Sequence, residues 1–304
     1  MTPPPFLALA YTRIAADSPE ASAAFAETRL GLQRAGGTGD SVLLRADHQG
    51  HRLAFIPRHG GDEAIGIELA DAAALEAATA ALSAAGFAAR PANAAECRQR
   101  QVRAAVLTRD GSGNAIDLVI APSQNARRFF PAIDSGVAGL ASIGLRSAEI
   151  ARDIEFWTRA LGTRVSDRVG DITYLGLDTA HHRIVLHPSD RAGILYVCLA
   201  VETVDHLMQN RHFLAAHQVR ILQGPGRQAA SGQVFLHVQG PDGMIYSLGH
   251  GMAEIDPLTH RPRQFAEDNT SLCSWGSVCD AVPELRFGES PNVDSRPLAG
   301  RTAP

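Results

Sequence analysis

The chain has 304 residues, long for one domain and comfortable for two, with 45% hydrophobic residues and a formal charge of −4. That charge supplies no basic field for nucleic acid, and no run approaches the ~20 apolar residues of a membrane span. The opening Met1-Thr-Pro-Pro-Pro lacks the basic-then-apolar pattern of a signal peptide, so the expectation is a cytoplasmic protein. Its four cysteines (Cys97, Cys198, Cys273 and Cys279) form no CxxC pair and no zinc spacing. Cys273 and Cys279 lie close enough in sequence to bridge, but the setting favours reduced thiols.

The elements are expected in the same order twice. Phe6–Ile14 reads as a strand and Ser18–Arg29 as a helix, started by Asp17-Ser18-Pro19 and ended at Gly31. Ser41–Arg45 and His51–Ile56 read as a hairpin around Asp47–Gly50. Strand Ala64–Leu69, helix Ala72–Ala85, strand Ala104–Arg109, a turn at Asp110–Asn114 and strand Ala115–Ile120 follow. In the second half, Gly139–Arg146 is a strand. Ala148–Leu161 is a helix that places Ile150, Ile154, Trp157 and Leu161 on one face. Strands are then expected at Asp171–Leu177, His182–Leu186 and Ile194–Val201, with a helix at Val204–Ala216 and a loop at Gln223–Arg227. Strand Gln233–Val238 and the turn Gly240–Gly243 lead into a last strand, Met244–Leu248. Each half is thus a pair of βαβββ modules, an α+β fold. The expected division is 1–122, a linker at 123–138, a second domain at 139–252, and an irregular tail at 253–304 with Trp275 as its large apolar anchor. The last ~15 residues read as disordered.

Strand alternation places His182, Ile184 and Leu186 on one face, and His181, Val185 and His187 on the other. A lone histidine on a strand is usually a hydrogen-bonded structural residue. An imidazole with an ordinary pKa of ~6.5 can nevertheless act as acid or base without a metal.

The modules that end in Asp110-Gly-Ser-Gly-Asn-Ala-Ile-Asp-Leu118 and Pro241-Asp-Gly-Met-Ile-Tyr-Ser247, the opening Gly139-Leu140 and the pair His181-His182 carry a resemblance. The chain resembles the vicinal oxygen chelate (glyoxalase/bleomycin resistance/dioxygenase) superfamily. It is most similar to its two-domain type I extradiol dioxygenases, which open catechols and dihydroxybiphenyls. The resemblance covers about residues 5–252 and implies two half-open barrel domains, with the pocket in the second.

In that family the first metal ligand is the His of a Gly-Leu-x-His strand opening, and here that position is Ser142. The second, a strand His, corresponds to Tyr196, and the third, a Glu four residues after the turn glycine, to Ser247. A 2-His-1-carboxylate site cannot be rebuilt from two hydroxymethyl groups and a phenol. The family's later His and Tyr correspond to Gln228 and His237, and the first half offers only Tyr11 and Asp117 near the equivalent places. One position does match: His182 stands where the family puts an acid/base histidine, and the resemblance turns it inward with Ser142. A relocated site built from His181, His187, His237 or His250 would lack a carboxylate close in sequence.

The expected function is therefore a metal-independent enzyme acting by acid/base chemistry on a small aromatic, phenolic or cyclic substrate. His182, His237 and Tyr196 would be catalytic, with Ser142, Ser247, Gln228, Tyr246 and His250 binding substrate. No metal and no cofactor are expected. The only partners would be the small molecule and further copies of the chain in a homo-oligomer, with neither nucleic acid nor membrane. Core filling by Tyr196 and Tyr246, and a loop position for His250, are the plain readings of those residues. The alternatives are a non-catalytic small-molecule binder or inactive dioxygenase homologue, and an active Fe(II) dioxygenase with a site elsewhere.

Overall fold

Local signals place the first helix as expected. The Ser18 hydroxyl accepts the Ala21 backbone N–H at 3.3 Å, Pro19 occupies the first turn, and Gly31 closes the helix with φ 82°. In the computed structural model, residues 6–37, 39–59 and 63–288 are described. The leader reading of Met1–Pro5 and the disorder expected at the C-terminal end lie outside them.

The first half runs β1 (Phe6–Ala16), α1 (Pro19–Leu30), β2 (Gln33–Gly36), β3 (Val42–Arg45), β4 (Leu53–Pro57) and β5 (Ala64–Leu69). It continues with α2 (Ala72–Ala84), β6 (Ala89–Pro91), α3 (Ala94–Arg100), β7 (Val102–Arg109) and β8 (Ala115–Pro122). The second half runs β9 (Val137–Ser147), α4 (Ile150–Ile154) extended by a π-helical stretch (Glu155–Ala160), β10 (Arg164–Val169), β11 (Ile172–Gly176), β12 (Ile184–Pro188) and β13 (Gly193–Val201). Then come α5 (Val204–Ala216), β14 (Ile221–Arg227), β15 (Val234–Gln239), β16 (Ile245–His250), β17 (Arg263–Phe265) and α6 (Asn269–Leu272).

The strands form two sheets, ordered β2-β3-β4-β1-β5-β8-β7-β6 and β14-β15-β16-β13-β9-β12-β11-β10-β17. Their centres repeat one pattern. β1 pairs parallel with β4 and antiparallel with β5, and β5 pairs parallel with β8. β9, β12, β13 and β16 stand in the same relation. The repeat extends to side chains at the start of β4 and β12. Arg52 Nε donates to Asp47 at 2.8 Å and its Nη1 to the carbonyls of Leu9 and Ala10; Arg183 Nε donates to Asp178 at 2.9 Å and its Nη1 to the carbonyl of Ala141. Each pair ties a corner of the sheet to its central strand.

One apolar core lies under the helices and runs through both halves. The helix expected over Ala148–Leu161 loosens into π geometry from Glu155. The Thr158 hydroxyl there donates back to the Ile154 carbonyl at 2.6 Å, a bond that competes with the helical ladder. The wider turn buries Phe156 and Trp157 side by side, and Phe156 meets Phe87 of the first half edge-on at 5.0 Å.

Four elements had no sequence expectation. β2 and β10 read Gln-Arg-Ala-Gly and Arg-Val-Ser-Asp-Arg-Val, without the apolar alternation that marks a strand; β6 and α3 are short. The loop expected at Gln223–Arg227 is instead part of β14, an edge strand whose register shifts accommodate Pro225. The tail is less irregular than expected, because β17 pairs with β10. Trp275 is 52% exposed and anchors nothing; Leu272, Cys273, Cys279 and Leu285 are buried in its place, and all four cysteines are free. Among the described residues no helix is long and apolar enough to cross a membrane.

On the inner face of the first half, Asp117 accepts from Tyr11 Oη at 2.9 Å and from Arg100 Nε at 2.7 Å, with the Arg100 and Asp117 side chains 7% and 2% exposed. Asp117→Asn strands the buried guanidinium, and urea unfolding is expected to show a loss of about 3–5 kcal/mol; Asp117→Leu combined with Arg100→Met should cost clearly less. Trp157→Ala is expected to cost about 3–5 kcal/mol in the same assay, through the cavity it leaves between the halves.

Candidate functional site

Ser142 on β9, Cys198 on β13 and Ser247 on β16 are neighbours in register, and His237 on β15 stands opposite Ser247. These four form one row across four adjacent strands, facing away from the helices. Tyr196 shares the face two residues along from Cys198, and its ring lies so close over Gly144 that no Cβ fits there. The residue between the two serines is therefore Cys198, not the Tyr196 expected there; Tyr196 fills the adjoining space. The Ser142 and Ser247 hydroxyls flank the Cys198 thiol; burial pushes that thiol up to about 11 despite them.

Beside this row lies a small cavity of about 30 Å³. Tyr174, His187, Tyr196 and His237 line it, with Gln223, Gln228 and Phe235 from β14, β15 and the turn between them. Leu272 and Leu285 of the tail cap it. The Tyr196 ring sits 5.7 Å from His187 and 5.3 Å from His237, which is 4.7 Å from Phe235.

His187 thus faces the cavity on the same side as Val185, as strand alternation grouped them; the interior is that face, not the one the resemblance gave to His182. β12 begins only at Ile184. From there Ile184 and Leu186 face the helices, while Val185 packs with Tyr174 on the inner side. His181 and His182 precede the strand, and both rings meet Tyr174 edge-on, at 5.7 and 5.1 Å.

A buried polar chain supports them. His181 Nε2 bonds Asp167 at 2.9 Å, and its Nδ1 lies 3.1 Å from His182 Nδ1. Arg263 of the tail holds Asp167 through Nη2 at 2.6 Å and its backbone N–H at 2.7 Å. Burial pushes the Asp167 carboxyl up, but the bonds from His181 and Arg263 outweigh it and hold it at about 2. Burial lowers His187 to about 4, His237 to about 3, and His182 well below its ordinary value, so all three are neutral at pH 7. Burial raises the Tyr174 and Tyr196 phenols, which stay protonated. Ser142 Oγ, His182 Nε2, His187 Nε2 and His237 Nδ1 are buried with no nitrogen or oxygen partner. Such atoms cost free energy unless something meets them.

Of the residues expected to form the site, Tyr196, His237 and Gln228 line the cavity, with Gln228 accepting from Ser231 at 2.6 Å. Ser142 and Ser247 lie in the adjoining row, and His182 reaches the site through Tyr174. Tyr246 is not brought to it. It faces the helix side, its ring 5.7 Å from Phe25. Nor is His250, which closes β16 and bonds the Val201 carbonyl through Nδ1 at 2.9 Å. Sequence reading missed Tyr174, His187, Gln223, Asp167 and the tail residues Arg263, Leu272 and Leu285. The pair His181-His182 was the one local signal of the polar chain.

Residues 139–246 match the Glyoxalase/Bleomycin resistance protein/Dioxygenase superfamily. An iron-dependent extradiol dioxygenase of Rhodococcus jostii (strain RHA1) is 24% identical over 290 residues, covering 88% of this chain and 95% of the relative. A biphenyl-2,3-diol 1,2-dioxygenase of Pseudomonas sp. (strain KKS102) is 32% identical over 178 residues, 53% of this chain and 61% of the relative. Among solved structures, the Mn(II)-bound glyoxalase from Novosphingobium aromaticivorans superposes with a TM-score of 0.82 at 21% identity, covering 97% of each chain. The halotolerant catechol dioxygenase BphC gives a TM-score of 0.80 at 19% identity, over 88% of this chain and 92% of its own. At these identities the structures speak for the fold alone. Residues 139–246 thus carry the match to the glyoxalase/bleomycin resistance/dioxygenase superfamily, in a chain that is similar over most of its length to an extradiol dioxygenase.

Proposed function

We propose that the second half-barrel is a metal-independent acid/base site for a small aromatic, phenolic or cyclic compound. The observation that carries this is the chemistry of the row Ser142–Cys198–Ser247 with Tyr196 beside it. Two hydroxyls, a thiol pushed up to about 11 and a phenol do not make the two imidazoles and one carboxylate that hold a catalytic Fe(II). Among the described residues, no group of three or more His, Cys, Asp or Glu side chains is placed to hold a metal ion. The donors present do not fit the iron or manganese named for the relatives.

What the row and cavity offer is a set of neutral imidazoles with open nitrogens beside protonated phenols, in a setting shielded from water. His182 and His237 would exchange a proton with the bound molecule, Tyr196 would hold an oxygen of it, and Ser142, Ser247 and Gln228 would orient it. A low dielectric strengthens each of these bonds.

A binder without turnover is the second reading, and the size of the cavity bears on both. About 30 Å³ accommodates roughly one water, against the roughly 300–1,000 Å³ of small-molecule sites. A ring can enter only if Leu272 and Leu285 move aside.

Titration calorimetry is expected to show phenol or catechol binding at least tenfold more tightly to Leu285→Ala than to the native chain, with metal content below stoichiometric in both. Turnover of a ring compound lost in His182→Gln and His237→Gln supports the enzyme; substitutions that change affinity only make the protein a binder. Stoichiometric iron with yellow ring-cleavage product from catechol after iron loading overturns the metal-independent reading.

The buried histidines also set a pH dependence. In the unfolded chain each imidazole takes up a proton near pH ~6.5. In the folded chain His187 does so only at about 4 and His237 at about 3. Between those values the unfolded chain binds more protons, so stability is full above pH ~6.5 and is lost as pH falls toward 4. Melting curves should show Tm falling across that window, with a shallower slope in His187→Gln.

A further inference from the structure

We propose that the C-terminal tail fixes the tautomers of His182 and His187, so that both present a bare Nε2 and the site selects a ligand that donates hydrogen bonds. The choice of ligand rests on the small-molecule reading above, whereas the tautomers belong to the protein without ligand.

His187 follows from one contact. Its Nδ1 lies 3.0 Å from the backbone carbonyl of Glu284, and a carbonyl oxygen can only accept, so Nδ1 carries the proton. A neutral imidazole has a single N–H, which leaves Nε2 as a lone pair, and that atom is buried without a partner. The carbonyl is held in place, because the Glu284 carboxylate accepts from Arg146 Nε at 2.7 Å and from Ser189 Oγ at 3.0 Å.

His182 follows from a relay. The Asp167 carboxylate can only accept, so His181 Nε2 donates to it at 2.9 Å. The Arg263 guanidinium, at 2.6 Å, already balances the single negative charge of Asp167. His260 Nε2, 3.9 Å from the same carboxylate, donates to the Ser166 carbonyl at 2.7 Å. With Arg263 as the counter-ion of Asp167, His181, 1% exposed and beside the Tyr174 ring, is taken as the neutral imidazole. Neutral His181 therefore has a bare Nδ1, and its 3.1 Å contact with His182 Nδ1 requires the proton to sit on His182. His182 Nε2 is then the free lone pair, again buried and unpartnered.

Both locks end on the tail, at Arg263 and at Glu284. Asp167, His181 and Arg263 are thus positioning residues for His182, and the Glu284 backbone is one for His187. Of the two acceptors, His187 belongs to the cavity lining and its Nε2 suits a ring hydroxyl in its undissociated form, while His182 stands behind the Tyr174 ring. A proton passed from that hydroxyl to Nε2 would leave the electron pair on the ligand oxygen and an imidazolium on the protein. They give nothing to an ether oxygen or an anion.

The test is long-range proton–nitrogen NMR on full-length protein with labelled histidine, resonances being assigned through His182→Gln and His187→Gln. The native chain is expected to show both residues protonated at Nδ1 and bare at Nε2 from pH 6 to 8. Asp167→Asn, whose amide can also donate, should move His182 away from that state and leave His187 unchanged. A proton on Nε2 of either residue in the native chain overturns the assignment, whether or not the variant folds. Catechol added to Leu285→Ala should shift the His187 Nε2 resonance, with 1,2-dimethoxybenzene at least tenfold weaker; equal binding of the two overturns the ligand selection. If neither compound binds, the small-molecule reading falls, while Nδ1-protonated tautomers still support the lock.

Discussion

Asp167 is a carboxylate with no exposure to solvent, and a charge so placed costs several kcal/mol unless hydrogen bonds and a counter-ion surround it. Its partners come from two distant stretches of chain: His181, just ahead of β12, and Arg263 on β17. Meeting the needs of this one charge docks the tail on β10, orients the histidine pair, and so sets the wall of the cavity that Leu272 and Leu285 close. Taking away Arg263 would leave the carboxylate uncompensated, and taking away His181 would leave it short of a hydrogen bond, which makes tail and site one structural unit.

The two halves show how one frame can carry different interiors. Both keep the central strand order and the Asp–Arg corner, Asp47 with Arg52 and Asp178 with Arg183. In the first half the inner face holds an ion pair, Asp117 with Arg100, bonded to Tyr11, over whose ring His51 stacks at 5.0 Å. Gly66 makes room for the Tyr11 ring, as Gly144 does for Tyr196. In the second half the corresponding row is two hydroxyls and a thiol, and histidine nitrogens nearby stay open. Chemistry that exchanges protons with a ligand is better served by the second arrangement, because open imidazole nitrogens can take up a proton and a guanidinium cannot.

The homology to extradiol dioxygenases and the inner row of this chain point in different directions, and the difference lies in donor chemistry. Fold is kept by burial of apolar side chains under the helices, which tolerates wide exchange of inner residues. Function depends on a few side chains on the other face, and there this chain presents hydroxyls and a thiol.

Much of the fold was legible without coordinates because its signals are local. Ser18 with Pro19 and Gly31 at the ends of the first helix, and the apolar strands around Leu145 and Val197, each act within a few residues. His182, Tyr196, His237 and Gln228 were expected at the site through the family resemblance, on or beside strands readable from pattern. Polar strands such as β10 carry no such signal, since their residues face polar partners that lie far away in sequence. Alternation grouped His187 with Val185 but could not say which face of β12 is the interior, because that is set by what packs on each side of the sheet. The amino-acid order by itself determined the repeated α+β frame and the residue types on its inner row. Which of them meet, and that the tail completes the site, was decided only by tertiary structure, because Asp167 and Arg263, 96 residues apart, are joined by a charge that finds its partner in space.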